Sequence, residues 1–108
     1  MTHGMTIGWR DDGFELTGEL DIASAPPLEE LLVGVAAMTP EVVVRMSGVT
    51  FFDSSGVRLL VELQRSLETS GRRMAVGSPS PAVRRVLDMA GLTQHIHFVE
   101  AGQVADVG

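Results

Sequence analysis

The chain has no cysteine, no lysine and no long apolar run. Without cysteine, disulfides and thiolate metal sites are excluded outright. No apolar stretch approaches the roughly 20 residues that a membrane-spanning helix needs. The N-terminal MTHGMTIGWR also lacks the apolar centre of a secretion signal. These absences fit a cytoplasmic protein with no membrane partner. No G-x-G-x-x-G occurs, and GSPSPAVRR (77–85) has neither the lysine nor the spacing of a P-loop. All eight cations are arginine, and nothing in the sequence explains the preference.

What is present is an ordinary globular composition. The 108 residues are 44% hydrophobic and 20% charged, which suits a single domain, 1–108, around one core. The net charge of −6 resides in residues 1–30, where Asp11, Asp12, Glu15, Glu19, Asp21, Glu29 and Glu30 face Arg10 alone. The remaining 78 residues balance seven arginines against seven acids. This distribution predicts one acidic edge, which disfavours nucleic acid and anionic lipid and suits a basic protein partner.

Hydrophobic periodicity sets the element order. Met5, Ile7 and Trp9 alternate, Asp11–Gly13 reads as a hairpin turn, and Phe14, Leu16 and Leu20 resume a period of two. Strands are expected over about 5–10 and 14–19. Ser24 has the chemistry of a helix N-cap, with Pro26 tolerable in the first turn. Leu28, Leu31, Leu32 and Val35 then recur at helical spacing, so a helix is expected to end before Pro40. EVVVRM (41–46) suits a buried strand. A second helix is expected over about 54–69, with Leu59, Leu60, Leu63 and Leu67 as its stripe and Gly71 as its stop. RRMAV (72–76) reads as a strand. Ser80 and Pro81 read as the N-cap and first residue of a third helix, stopped by Gly91 with Leu92 folded back. HIHFV (95–99) reads as the last strand and the tail from about 101 as frayed. The order β-β-α-β-α-β-α-β predicts an α/β domain with a mixed sheet of four to five strands. Its crossovers are right-handed and its helices lie mainly on one face.

The chemistry concentrates in VTFFDSSGVRLL (49–60). Ser54 and Ser55 lie at a strand-to-helix turn, as the serine of a nucleophile elbow does. That motif needs glycine two residues to either side of the serine, which this stretch does not supply. The available bases are His3, His95 and His97. The last two fall on one face of the expected strand without a third convergent ligand, and read as a polar sheet face. Arg84 and Arg85 read as a solvated helix face. A hydrolase using Ser54 is therefore disfavoured, and no catalytic residue, metal or cofactor is expected.

The serines read instead as recipients. With Ser54 as N-cap, a phosphate would sit on unpaired N–H groups at the positive end of the helix. It would add about −1.5 to −2 charge to the surface. Neither serine has the Glu or Gln three residues on that completes a capping box; Val57 and Arg58 stand there. Gly56 in the first turn costs about 1 kcal/mol relative to alanine, which makes sense where another backbone approaches closely. Both hydroxyls remain candidates on these grounds.

GELDIASAPPLEELL (18–32), VVVRMSGVTFFDSSGVRLLVEL (42–63) and PAVRRVLDMAGL (81–92) resemble the STAS domain of bacterial anti-sigma factor antagonists. The likeness covers nearly the whole chain, and the stretch ending in Asp53-Ser54-Ser55-Gly56 is its most specific part. It implies a non-catalytic module that binds a serine-kinase anti-sigma factor and frees a sigma factor. The kinase would switch it off by phosphorylating the first serine after the aspartate, Ser54, and a phosphatase would restore it. Asp21 and Asp53 match family positions beside the acceptor on the partner-binding surface. Val57 and Val61, on the shoulder of the leucine stripe, are expected to be partly exposed and to contact the partner, and Ser55, Gly56 and Arg58 complete the expected partner-binding positions. The protein is expected to be a monomer. Where many antagonists have Gly-Leu-Gly, this chain has Gly56-Val57-Arg58. Arg58 either narrows the set of kinases that fit or pairs with a phosphate on Ser54. The alternative implied by the same resemblance is a scaffold subunit of a signalling complex or of a lipid-transport ATPase.

Overall fold

The structure, a computed structural model, describes residues 5–21 and 40–100. The helix expected from Ser24 and the tail from 101 lie outside the described residues. Five strands form one sheet in the order β1-β2-β3-β4-β5: β1 (Met5–Arg10), β2 (Gly13–Leu20), β3 (Glu41–Phe52), β4 (Arg73–Gly77) and β5 (His97–Val99). The hairpin pair β1–β2 is antiparallel, with Arg10 opposite Gly13, and every other pairing is parallel. Helix α1 (Ser54–Thr69) connects β3 to β4, and α2 (Pro81–Met89) with a short 3-10 turn (Thr93–His95) connects β4 to β5. Both connections step across the sheet in the same direction. Right-handed crossovers therefore place both helices on one face.

The core lies between that face and the helices. Phe14, Leu16 and Leu20 of β2, Val42, Val44 and Met46 of β3, and Met74 and Val76 of β4 pack against Leu59, Leu60, Leu63 and Leu67 of α1 and Val83 and Leu87 of α2. Each such burial is worth about 1.5–3 kcal/mol. Four leucines on one stripe therefore fix the roll of α1 about its axis. Both helices stop as glycine at φ +78 (Gly71) or +75 (Gly91) permits. At the first stop Arg72 N–H donates to Leu67 O (2.8 Å), and at the second Leu92 N–H donates to Leu87 O (3.0 Å), the long bond of a Schellman motif.

Two elements differ from expectation. β3 continues six residues beyond Met46, because its register against β2 shifts twice, between Glu15 and Thr17 and between Gly18 and Glu19. In each shift β3 gains one extra residue, the signature of a bulge. Met46, Val49 and Phe52 all stay buried at a spacing of three, which no strict alternation of two reveals. At the C-terminal end, His95 closes the 3-10 turn and only His97–Val99 form a strand. The two histidines therefore do not share a strand face.

Candidate functional site

β2 and β3 run parallel with Leu20 opposite Phe52. Their next residues, Asp21 and Asp53, thus emerge side by side at the carboxyl edge of the sheet. In open α/β sheets this edge, where chains leave strands for helices, is the usual place for a site. α1 begins there.

Asp53, not Ser54, is the N-cap. Its backbone is extended (φ −137, ψ −163) and its Oδ1 accepts from Ser55 N–H at 2.9 Å. Its carbonyl accepts from Gly56 N–H at 2.9 Å and Val57 N–H at 3.1 Å. One residue thus satisfies the Ser55 and Gly56 donors, which otherwise lack helical partners, and also accepts the first regular helical bond from Val57. This corrects the expectation that Ser54 caps, and Asp53 rather than a phosphate engages the N–H groups of Ser55 and Gly56. Ser54 is the first helical residue and is exposed. Among the described residues its hydroxyl makes no hydrogen bond. Ser55 beside it is half-buried.

Gly56 is also placed differently. It is buried, and a Cβ there would lie 2.4 Å from Phe52 Cε1 and 2.8 Å from Leu20 Cδ2. The glycine thus admits the protein's own β2 and β3 side chains beneath α1, and the backbone does not face outward to an approaching partner. Val57 is half-buried and packs on the core cluster, and Val61 is half-buried one turn on. Arg58 is exposed, with its Nε 3.4 Å from Glu62 Oε2.

The acidic N-terminal residues separate into two groups. Asp11, Asp12 and Glu15 sit at the opposite end of β2 from Asp21, roughly 25 Å away at the rise of a strand. Asp12 accepts a forked pair of hydrogen bonds from Arg45 (Nη1 to Oδ1, 2.8 Å; Nη2 to Oδ2, 3.0 Å). Those bonds hold its carboxyl below the ordinary aspartate range against the opposing effect of burial. Glu15 pairs with Arg10. At the far end Asp12 and Glu15 are therefore paired with arginine, and Asp21 and Asp53 mark the site end.

Beside the site, the end of β3 stands clear of β4, whose pairing stops at Arg45 opposite Gly77. A groove of 290 Å³ opens between this overhang and α2, lined by Thr50, Phe51, Pro81, Arg85 and Val86 among others. Phe51 is 46% exposed. Phe51 did not stand out in the sequence, and Arg85, read there as part of a solvated helix face, lines this groove. The available signal was the Phe51-Phe52 doublet itself, since adjacent strand residues point to opposite faces.

Among the described residues no group of three or more His, Cys, Asp or Glu is arranged to hold a metal ion, and no helix is long and apolar enough to cross a membrane.

Relatives share both the sequence and this architecture. The chain is 32% identical over 97 residues to an anti-sigma-B factor antagonist of Staphylococcus epidermidis, covering 87% of this chain and 90% of the relative. An anti-sigma factor antagonist from Mycobacterium paratuberculosis superimposes with a TM-score of 0.73 at 26% identity, over 88% of this chain and 83% of that one. The Bacillus cell fate determinant SpoIIAA in its phosphorylated form superimposes with a TM-score of 0.67 at 21% identity, over 95% and 96% of the two chains. The STAS domain profile matches residues 12–105, from the hairpin turn to beyond the last strand. With the five-stranded mixed sheet, the helices on one face and the Asp53-Ser54-Ser55-Gly56 junction at its edge, the chain belongs to the STAS domain family.

Proposed function

We propose that the protein is an anti-sigma factor antagonist of the cytoplasm, switched by phosphorylation of Ser54. In the unmodified state it binds a serine-kinase anti-sigma factor through the carboxyl edge of the sheet, and a sigma factor is released. The observation that carries this reading is the division of labour at the start of α1. Asp53 caps the helix, so the hydroxyl of Ser54 is exposed and, among the described residues, makes no hydrogen bond. Phosphoryl transfer then needs nothing from this chain beyond position. Ser54 Oγ attacks the γ-phosphorus of the kinase's Mg²⁺-ATP, its proton passes to a base of the kinase, and the bond to ADP breaks. The chain itself is non-catalytic.

The added charge falls beside Asp53 and next to the strand end that carries Asp21. Placing about two further negative charges there disfavours docking through repulsion and desolvation. A phosphatase reverses the step. Asp21, Ser55, Val57, Arg58 and Val61 flank the acceptor, and Phe51 and the groove beside it extend the same surface.

The test is to mix the protein with candidate serine-kinase anti-sigma factors, with and without Mg²⁺-ATP. Complexes are followed by size exclusion and phosphate is located by mass spectrometry. Complex formation that is lost as phosphate appears on Ser54 supports the reading. Ser54→Asp should bind weakly and Ser54→Ala should bind even with ATP present. Equal binding by the two variants, or co-purification with transport-ATPase subunits and no modification, would favour a scaffold role.

A further inference from the structure

Ser54, Arg58 and Glu62 follow one another at intervals of four along α1, so they form one stripe. At about 100° per residue this stripe lies nearly opposite the buried stripe of Leu60, Leu63 and Leu67, facing away from the core. Arg58 engages Glu62 through Nε at 3.4 Å, with the two side chains 80% and 42% exposed. Three features make this a weak pair. The separation exceeds the 2.7–2.9 Å of a good charge-assisted bond. Both groups are solvated, and ion pairs between solvated side chains contribute little. Their order along the helix, base before acid, is the less favourable of the two at this spacing.

An anion on Ser54 reverses the order and improves the geometry. It precedes Arg58 by four residues, the favoured order, and it lies toward the helix N-terminus, the direction in which helical side chains lean. Phosphoryl oxygens accept the forked guanidinium geometry that a single Nε contact leaves unused. The N–H groups of Ser55 and Gly56 already serve Asp53 and that of Val57 makes the first helical bond, which favours a side chain as the counter-charge. Arg58 is the first cation of α1, and Arg65 lies two turns further along. The anionic groups bordering the stripe are Asp53, Asp21 and Glu62.

We infer that Arg58 is the internal counter-ion of phosphorylated Ser54, leaving Glu62 when the phosphate arrives. The inference rests on the reading that Ser54 is the phosphorylated residue. It makes the switch two helical turns long. In the unmodified protein the outer stripe presents a free hydroxyl and a paired Arg58–Glu62. In the phosphorylated protein it presents a phosphate tied to Arg58 and a released Glu62 carboxylate. A partner with a cation for Glu62 would sense both ends.

The experiment installs phosphoserine directly at position 54 during synthesis of the full chain, so no kinase is needed. Its second ionisation, ordinarily near pH 6, is followed by phosphorus NMR. The titration midpoint should lie about half a pH unit lower in the otherwise wild-type protein than in Arg58→Ala. Arg58→Lys should recover part of the shift, and Arg85→Ala should leave the midpoint unchanged. The Arg58 Nε–Hε resonance should move with the same midpoint. Equal midpoints with and without Arg58, or a shift caused by Arg85→Ala instead, overturn the inference. Failure of every kinase to modify Ser54 would instead count against the proposed function, and the two failures are distinguishable.

Discussion

Among the described residues two helices begin at the carboxyl edge of this sheet, each after a parallel strand and each with a serine at its start, yet the serines have opposite roles. At α2, Ser80 is the cap: its backbone is extended, its Oγ accepts from Val83 N–H at 3.3 Å, and it is 7% exposed. Pro81 follows at the first helical position, where no N–H is needed. At α1 the same task falls to Asp53, and Ser54 is displaced by one residue into solvent. A serine that caps its helix is withdrawn from other chemistry. A serine placed just after a capping aspartate is released to it. The difference between a structural and a modifiable hydroxyl here is a one-residue shift in who caps.

Removing each serine gives the largest contrast. Ser54→Ala should abolish phosphate incorporation by a cognate kinase while leaving the urea midpoint nearly unchanged. Ser80→Ala should keep full incorporation and lose about 1 kcal/mol of stability as its cap is lost. Incorporation that survives Ser54→Ala would end the comparison.

Gly56→Ala tests what lies beneath the first turn. Helix propensity alone predicts a gain of about 1 kcal/mol, but the added carbon would meet Phe52 and Leu20 well inside contact distance. Overpacking of this kind typically costs about 1–3 kcal/mol. A lowered midpoint in urea is expected, and a raised one would mean that the partner surface and not the core requires this glycine.

Asp53 separates cap from charge. Asp53→Ala should destabilise by about 1 kcal/mol, and Asp53→Asn, which caps equally well, by only a few tenths. If Asn is as damaging as Ala, the carboxylate acts through its charge on the helix and not through its bond to Ser55 N–H.

The smallest effect belongs to the far end of β2. Asp12 is held below the ordinary aspartate range by Arg45. Its contribution is therefore complete above the unfolded-state value and is lost as pH falls through the lower folded-state value. With both side chains about a third exposed, Asp12→Asn should cost less than about 1 kcal/mol at neutral pH. The gap between the two denaturation midpoints should begin to shrink below about pH 4 and close only once the pH has fallen below the lowered folded-state value. A constant gap at all pH values would assign the loss to hydrogen-bond geometry and not to charge.

The sheet hairpin, α1, α2 and both glycine stops were legible because each rests on local rules: period two, the leucine stripe, and a left-handed glycine followed by a returning residue. The end of β3 was not legible, because two bulges convert its inward positions from every second residue to every third. The identity of the α1 cap was missed because aspartate and serine are both good caps in adjacent positions, and only backbone geometry at Asp53 decides. The role of Gly56 was available in principle. It stands four, seven and eleven residues before Leu60, Leu63 and Leu67, on the core side of the wheel, where an inward glycine is the natural reading.

β3 outlasts its pairing with β4 by seven residues, Met46 to Phe52. Among the described residues β2 pairs with this stretch, Ser80 N–H donates to Met46 O at 3.2 Å, and α2 packs along it. At the rise of a bulged strand it is roughly 20 Å long. The acceptor serine thus follows a strand end that is buttressed by β2 and α2. Its position is set by strand length and packing instead of by loop motion, so a kinase can meet it by rigid docking.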